Sequence, residues 1–395
     1  MKVAVYVRHL APEMGGGHTF ARDIVDALAA ARGSARHEVV TAGHAPDPPE
    51  GWSAGSYVAL QGDPLGRMTG RIRRRVAATL GRGRSRPPKS WLDRVFEANG
   101  IDLIWCVAAG APTDALPYVT TIWDLQHRLQ PVFPEVSAQG EWMQRERFFA
   151  REIGQAAVVI VGTAAGQAEV ERFYGVPPTR IRTLPHPTPS FALNAPDATD
   201  DSTLGRYGLE PGYVLYPAQF WAHKNHVRLL RALRLLRDEH DIRLRAVFVG
   251  SDKGNEAHVR HVAESLDLVS QVRFLGFVPR SDLVALYQHA AAMAYVTLFG
   301  PENLPPLEAF ALGCPVVASD VPGAEEQLGD AALLVSPTNE ADIARALLTL
   351  HRDDALRLSQ IERGRSRARA FTAANFVDGM LGIIDELEPV VSTWR

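Results

Sequence analysis

Short apolar runs, many rich in valine, alternate with amphipathic stretches along almost the whole chain. In the first half they are Val3–Val7, Glu38–Thr41, Leu103–Val107, Val119–Trp123, Val158–Val161 and Ile181–Leu184. In the second they are Tyr213–Tyr216, Arg245–Val249, Val272–Leu275, Met293–Val296, Val316–Ala318 and Ala332–Val335. A strand that is apolar along its length is covered on both faces, and strands separated by helices are parallel. The alternation breaks between residues 185 and 211, where His186-Pro187-Thr188-Pro189 is followed by Asp197-Ala198-Thr199-Asp200-Asp201-Ser202. The pattern predicts two doubly wound α/β domains, with ligand in the cleft between their strand C-terminal edges. A chain of 395 residues also exceeds one ordinary core.

The predicted bounds are residues 1–190 for the first domain, 191–210 for a linker and 211–372 for the second domain. Residues 373–395 form a C-terminal helical stretch. Hydrophobic content of 46% and charged content of 22% suit a soluble globular protein. No apolar run approaches the length of a membrane span. Met1–Arg8 reads as a short strand rather than a signal peptide, and Cys106 and Cys314 read as buried thiols, so the expected setting is cytoplasmic. The net charge of −3 hides a basic run, Arg67–Arg94, that holds one acid, Asp93. It reads either as a solvated helix face and loop or as a peripheral contact with anionic lipid at the inner membrane face. No aromatic side chains are interleaved with the arginines, so nucleic acid is not an expected partner.

The most informative motif is Phe299-Gly300-Pro301-Glu302-Asn303-Leu304-Pro305-Pro306-Leu307-Glu308. It reads as a tight loop opening a diproline-led helix, whose N-terminal amides make an anion site. Glu308, one turn in, is placed to bind sugar hydroxyls. The segment resembles the donor site of retaining glycosyltransferases of family 4, which have the GT-B fold. In that family two glutamates lie eight positions apart. Glu308 matches the second, and Gly300 stands at the first. The FGPxNLPPLEA form resembles one branch of the family, which implies that Asn303, Glu302 and Leu304 line the donor edge.

Other motifs fall in the order this resemblance requires. Gly15-Gly16-Gly17-His18 follows the first strand, and its glycines allow close backbone approach to a ligand. Trp123-Asp124-Leu125-Gln126-His127 ends a strand where the family has His-Asp, which implies that Asp124 and a displaced His127 reach the cleft. The second domain opens with Gln219-Phe220-Trp221-Ala222-His223-Lys224-Asn225-His226. Lys224, just ahead of a helix, suits a pyrophosphate. Gln219 stands where the family has arginine, and either His223 or His226 is a candidate for the missing charge. Gly250 is placed to admit the nucleotide, and the resemblance puts the base at Phe277 and Val278.

The resemblance implies transfer of a hexosyl group, mannose or deoxyhexose favoured, with retention. The donor is a nucleotide-diphosphate sugar, and the acceptor is a hydroxyl of a glycan, a lipid-linked glycan or a small molecule. Asp124, His127, Lys224 and Glu308 are its expected catalytic residues. No Asp-x-Asp occurs, so neither metal nor other cofactor is expected. The alternatives are a nucleotide-sugar epimerase of the same fold and a non-catalytic sugar-nucleotide-binding subunit of a glycan assembly complex.

Overall fold

A computed structural model describes residues 1–8, 15–31, 33, 35–45, 47–60, 89–196 and 202–394. Most of the basic run, residues 67–88, lies outside the described residues, as do residues 9–14 and 197–201.

Two all-parallel sheets form the scaffold. The first contains β1 (Lys2–Tyr6), β2 (Glu38–Gly43), β3 (Tyr57–Ala59), β4 (Leu103–Cys106), β5 (Tyr118–Thr121), β6 (Val158–Val161) and β7 (Ile181–Thr183). Its order is β3-β2-β1-β4-β5-β6-β7. The second contains β8 (Tyr213–Pro217), β9 (Ala246–Val249), β10 (Val272–Gly276), β11 (Ala290–Tyr295), β12 (Val316–Ser319) and β13 (Ala332–Val335). Its order is β10-β9-β8-β11-β12-β13. Each apolar run of the sequence is a strand. The strand β3 is not among those runs.

Alternation along β1 shows why the runs are apolar throughout. Val3 and Val5 enter the core under one face, and Ala4 and Tyr6 enter the core on the other. The first of these cores is completed from the far end of the chain. Phe376, Val377, Met380 and Ile384 of the helix Ala373–Val391 join it beside Ile24 and Leu28 of the helix Gly16–Ala31. The stretch expected as a linker is partly ordered into the second domain. Ala192 and Leu204, on helices Ser190–Leu193 and Ser202–Tyr207, are buried in the second core.

In each sheet the strand order reverses once, between β1 and β4 in the first and between β8 and β11 in the second. Loops diverge at such a point and leave a crevice beyond the strand ends. The loops after β1, β8 and β11 carry the glycine loop, Lys224 and the Phe299–Asn303 segment.

Gly250, at the end of β9, is required by its own fold. Its φ is +152°, and a Cβ there would lie 2.3 Å from the Ala218 carbonyl oxygen. The glycine makes room for the backbone after β8, whatever it offers a ligand. Gly250→Ala should destabilise the protein by at least about 1–3 kcal/mol, the usual cost of such strain, read by urea unfolding.

Candidate functional site

The helix Leu304–Ala311 begins where the sequence places it, with Asn303 as N-cap. Pro305 and Pro306 carry no N–H, so its first turn offers few donors, Leu304 foremost. Gly300 has φ +142°, and a Cβ there would lie 2.5 Å from Asn303 Oδ1. The Asn303 carboxamide therefore fills the space into which a side chain at 300 would grow. Its Nδ2 donates to the Gly300 carbonyl at 2.9 Å. Gln327 holds the Asn303 backbone from below, accepting from its N–H at 2.9 Å and donating to its carbonyl at 3.0 Å.

Glu302 points elsewhere. Its side chain is 4% exposed and takes two hydrogen bonds from His186, from the backbone N–H at 2.8 Å and from Nδ1 at 2.9 Å. The expectation that Glu302 lines the donor edge is thus corrected: its carboxylate is already occupied.

Glu308 is buried. Tyr287 donates its hydroxyl to Glu308 Oε2 at 2.8 Å. Burial pushes the Glu308 carboxyl up to about 7, against the Tyr287 bond and the nearby charge of Arg280. Asp23, on the first-domain helix Gly16–Ala31, raises it further, which puts Glu308 within electrostatic reach of the opposite domain.

After β8, Lys224 ends a short 3-10 turn, and Asn225 follows in the left-handed region at φ 61°. Asn225 Nδ2 donates to the Val296 and Pro337 carbonyls, each at 2.8 Å, which fixes this turn against the end of β11. Lys224 Nζ donates to the Tyr295 hydroxyl at 2.9 Å. Among the described residues it has no carboxylate partner within ion-pair distance. Gln219 is held by neighbours: Trp221 Nε1 donates to its Oε1 at 3.0 Å, and its Nε2 donates to Ser251 Oγ at 3.3 Å.

His226 does not replace the missing arginine charge. His226 is stacked on Phe220 with ring centroids 4.4 Å apart, and burial pushes it down to about 3. His223 is also lowered by burial, although Glu135 of the first domain sits 2.5 Å from its Nδ1.

On the first-domain side, Gly15 has φ +70° and its carbonyl accepts from His18 and Thr19, starting the helix Gly16–Ala31. A Cβ on Gly16 would lie 3.2 Å from Leu304 Cδ1. Two helix N-termini, one from each domain, therefore converge at this contact. Gly17 and His18, both half-buried, continue that first turn.

Asp124 is half-buried at the end of β5. It accepts from Gln126 N–H at 3.0 Å and from Arg145 at 2.8 Å. His127 departs from expectation: its ring has no exposed surface, with Nε2 3.2 Å from Glu146 and one face stacked on Phe149. The reading of His127 as a cleft residue is corrected to a core histidine. Glu169, on the helix Ala164–Tyr174, was not singled out by sequence. Burial, with the nearby charge of Asp124, pushes its carboxyl up to about 7. Nothing local in the sequence marks it, because Asp124 is 45 residues away. In the turn after β10, Val278 is buried while Phe277 is 64% exposed beside the Gly250–Gly276 backbone bond of 2.8 Å.

Among the described residues no group of three or more His, Cys, Asp and Glu side chains is placed to hold a metal ion. No helix among them is long and apolar enough to cross a membrane.

Two family models match this chain. "Glycosyltransferase Family 4" covers residues 14–189 and "Glycosyl transferases group 1" covers residues 206–367. The chain therefore carries one glycosyltransferase domain of each kind. Among relatives, it is 28% identical over 243 residues to the O-antigen chain mannosyltransferase B of Escherichia coli, covering 61% of this chain and 64% of that one. It is 30% identical over 232 residues to a D-inositol 3-phosphate glycosyltransferase of Corynebacterium glutamicum, covering 56% and 55%. The match thus spans less than two thirds of either relative. The Anabaena protein HepE, solved with UDP and glucose, superposes with a TM-score of 0.68 at 17% identity over 98% of this chain and all of that one. Its likeness, with the two parallel sheets, shows the GT-B fold.

The raised Glu308 carboxyl has a stability consequence. The folded state holds its proton more tightly than the unfolded chain, whose carboxyl titrates near 4.5. Its contribution is fully present below that value and is lost as pH rises through about 7. Glu308→Gln keeps a partner for Tyr287 and cannot ionise. The parent should lose stability relative to this variant between those pH values, by on the order of 1–3 kcal/mol, read by urea unfolding at a series of pH values.

Proposed function

We propose that the protein transfers a hexosyl group from a nucleotide-diphosphate sugar to an acceptor hydroxyl, with retention of configuration and without a metal. The observation that carries this reading is the convergence of two helix N-termini at Gly16 and Leu304, with Lys224 at the second-domain switch point, where Leu304 also lies. Helix N-termini direct N–H groups and a partial positive charge at an anion. A leaving diphosphate gains charge as the glycosidic bond breaks, and fixed donors in a closed cleft stabilise that charge with little reorganisation. Domains of glycosyltransferase type on both sides of the cleft, and a neighbour of the same fold that holds UDP, support the assignment.

In this reading Lys224 and the amides of the Gly15–Gly17 turn and Leu304 hold the diphosphate. Glu308 binds ribose or sugar hydroxyls, and Asn303, filling the space at Gly300, takes the place of the first glutamate at the sugar edge. Phe277 and the backbone around Val278 hold the base, and Asp124 with Glu169 faces the acceptor. The acceptor hydroxyl attacks on the side from which the diphosphate leaves, and the departing phosphate takes its proton. A mannose or deoxyhexose donor and a glycan or lipid-linked acceptor are favoured, since one relative is an O-antigen mannosyltransferase. We place the enzyme in the cytoplasm, with Arg67–Arg94 as a peripheral membrane contact.

A panel of UDP-, GDP- and dTDP-sugars tested by thermal shift should contain one that stabilises the protein, because a ligand of the folded state raises the melting temperature by mass action. Lys224→Ala should weaken that donor at least tenfold and flatten the salt dependence of binding, read by calorimetry. Equal binding by parent and variant overturns the assigned phosphate site.

A further inference from the structure

The carboxylate of Glu302 carries more than its own loop. It lies against Gly162, the residue after β6, so closely that a Cβ on Gly162 would fall 1.2 Å from Glu302 Oε2. Gly162 shows no positive φ, so the glycine is needed for space and not for conformation. Its partner His186 lies in the segment joining the two sheets, and the His186 ring packs on Phe20 of the helix Gly16–Ala31 at 5.0 Å. That same helix touches Leu304 through Gly16. The three residues Glu302, Asn303 and Leu304 are thus clasped by the first domain at both ends, while Gln327 of the second domain holds the middle one.

We propose that Glu302 is a positioning residue: its contacts with His186 and Gly162 tie the donor-side loop to the first domain, so that Asn303 and Leu304 are set in place only when the two domains are together. The role follows from burial and geometry. With the domains apart, the loop keeps its Gln327 bonds but loses both end contacts. An almost fully buried carboxylate then faces water without its two donors. Other bonds cross the same boundary: the Ala164 N–H donates to Glu326 Oε2 at 2.8 Å, and Gln130 Nε2 donates to the Leu298 carbonyl at 2.8 Å. Asp23 accepts from the Ser190 N–H at 2.8 Å. The bonds of Gln130 and Glu302 both end on the loop between β11 and the helix Leu304–Ala311, and Glu302 is the one next to Asn303.

This inference rests on the proposed donor site only for its catalytic consequence. The test therefore has one arm that needs no donor. Cys106 and Cys314 are buried, so cysteines introduced as Glu97→Cys and Leu358→Cys take fluorescent labels selectively, one in each domain. In the labelled full chain, Glu302→Ala and Gly162→Ala should each shift the inter-domain distance distribution toward longer distances without any ligand. Glu302→Gln, which keeps volume and one acceptor, should fall between them and the parent. In the second arm, both alanine variants should lower kcat at least tenfold while changing the donor Kd less than threefold. Unchanged distance distributions in both alanine variants overturn the proposal. So does a loss confined to donor Kd with kcat intact, which would make Glu302 a direct donor contact. A distance shift in a protein that turns over no nucleotide sugar supports the clasp and counts against the transferase reading instead.

Discussion

The close approach of Gly16 to Leu304 is the contact on which the cleft depends. It brings together two helix N-termini that belong to different sheets and are separated by almost 300 positions of sequence. A Cβ on residue 16 would lie 3.2 Å from Leu304 Cδ1, so a larger residue there requires the leucine side chain to shift. Around this contact the two switch points face each other, and the loops that diverge from them supply the remaining polar groups. Helix termini are useful here because their charge is fixed by the backbone and needs no counter-ion network.

The electrostatics of the cleft are unusual in their balance. One cation, Lys224, has no carboxylate partner among the described residues, while two carboxyls, Glu308 and Glu169, are pushed up to about 7 by burial. Groups poised so near neutrality mark functional clefts more often than structural ones. Both histidines beside Lys224 are held below their ordinary value. The positive field around Glu308 and the second-domain switch point therefore comes from Lys224, Arg280 and the helix termini.

The sequence made the fold legible because each apolar run is a local statement about burial on both faces. Motifs that depend on backbone direction were legible for the same reason: the diproline start at Leu304, the turn before the helix at Lys224 and the glycines at 15–17. What it could not show is where side chains go once distant segments meet. Glu302 and His127 sit in plausible loop positions, yet each is claimed by partners far along the chain, His186 and Glu146. Gly162 carries no positive φ and no motif, and its need for glycine exists only because a carboxylate 140 residues later fills its side-chain space. Gly250 has a packing demand that the sequence did not show, since a Cβ there would meet the Ala218 carbonyl.

The central claim is that a nucleoside diphosphate binds where the two helix N-termini converge. The direct measurement is a crystal structure of the protein with UDP or GDP, whichever binds in solution. The account predicts the diphosphate between the Gly15–Gly17 turn and the Leu304 amide, within reach of Lys224 Nζ. A diphosphate bound away from both helix N-termini, with Lys224 still turned to Tyr295, would contradict it.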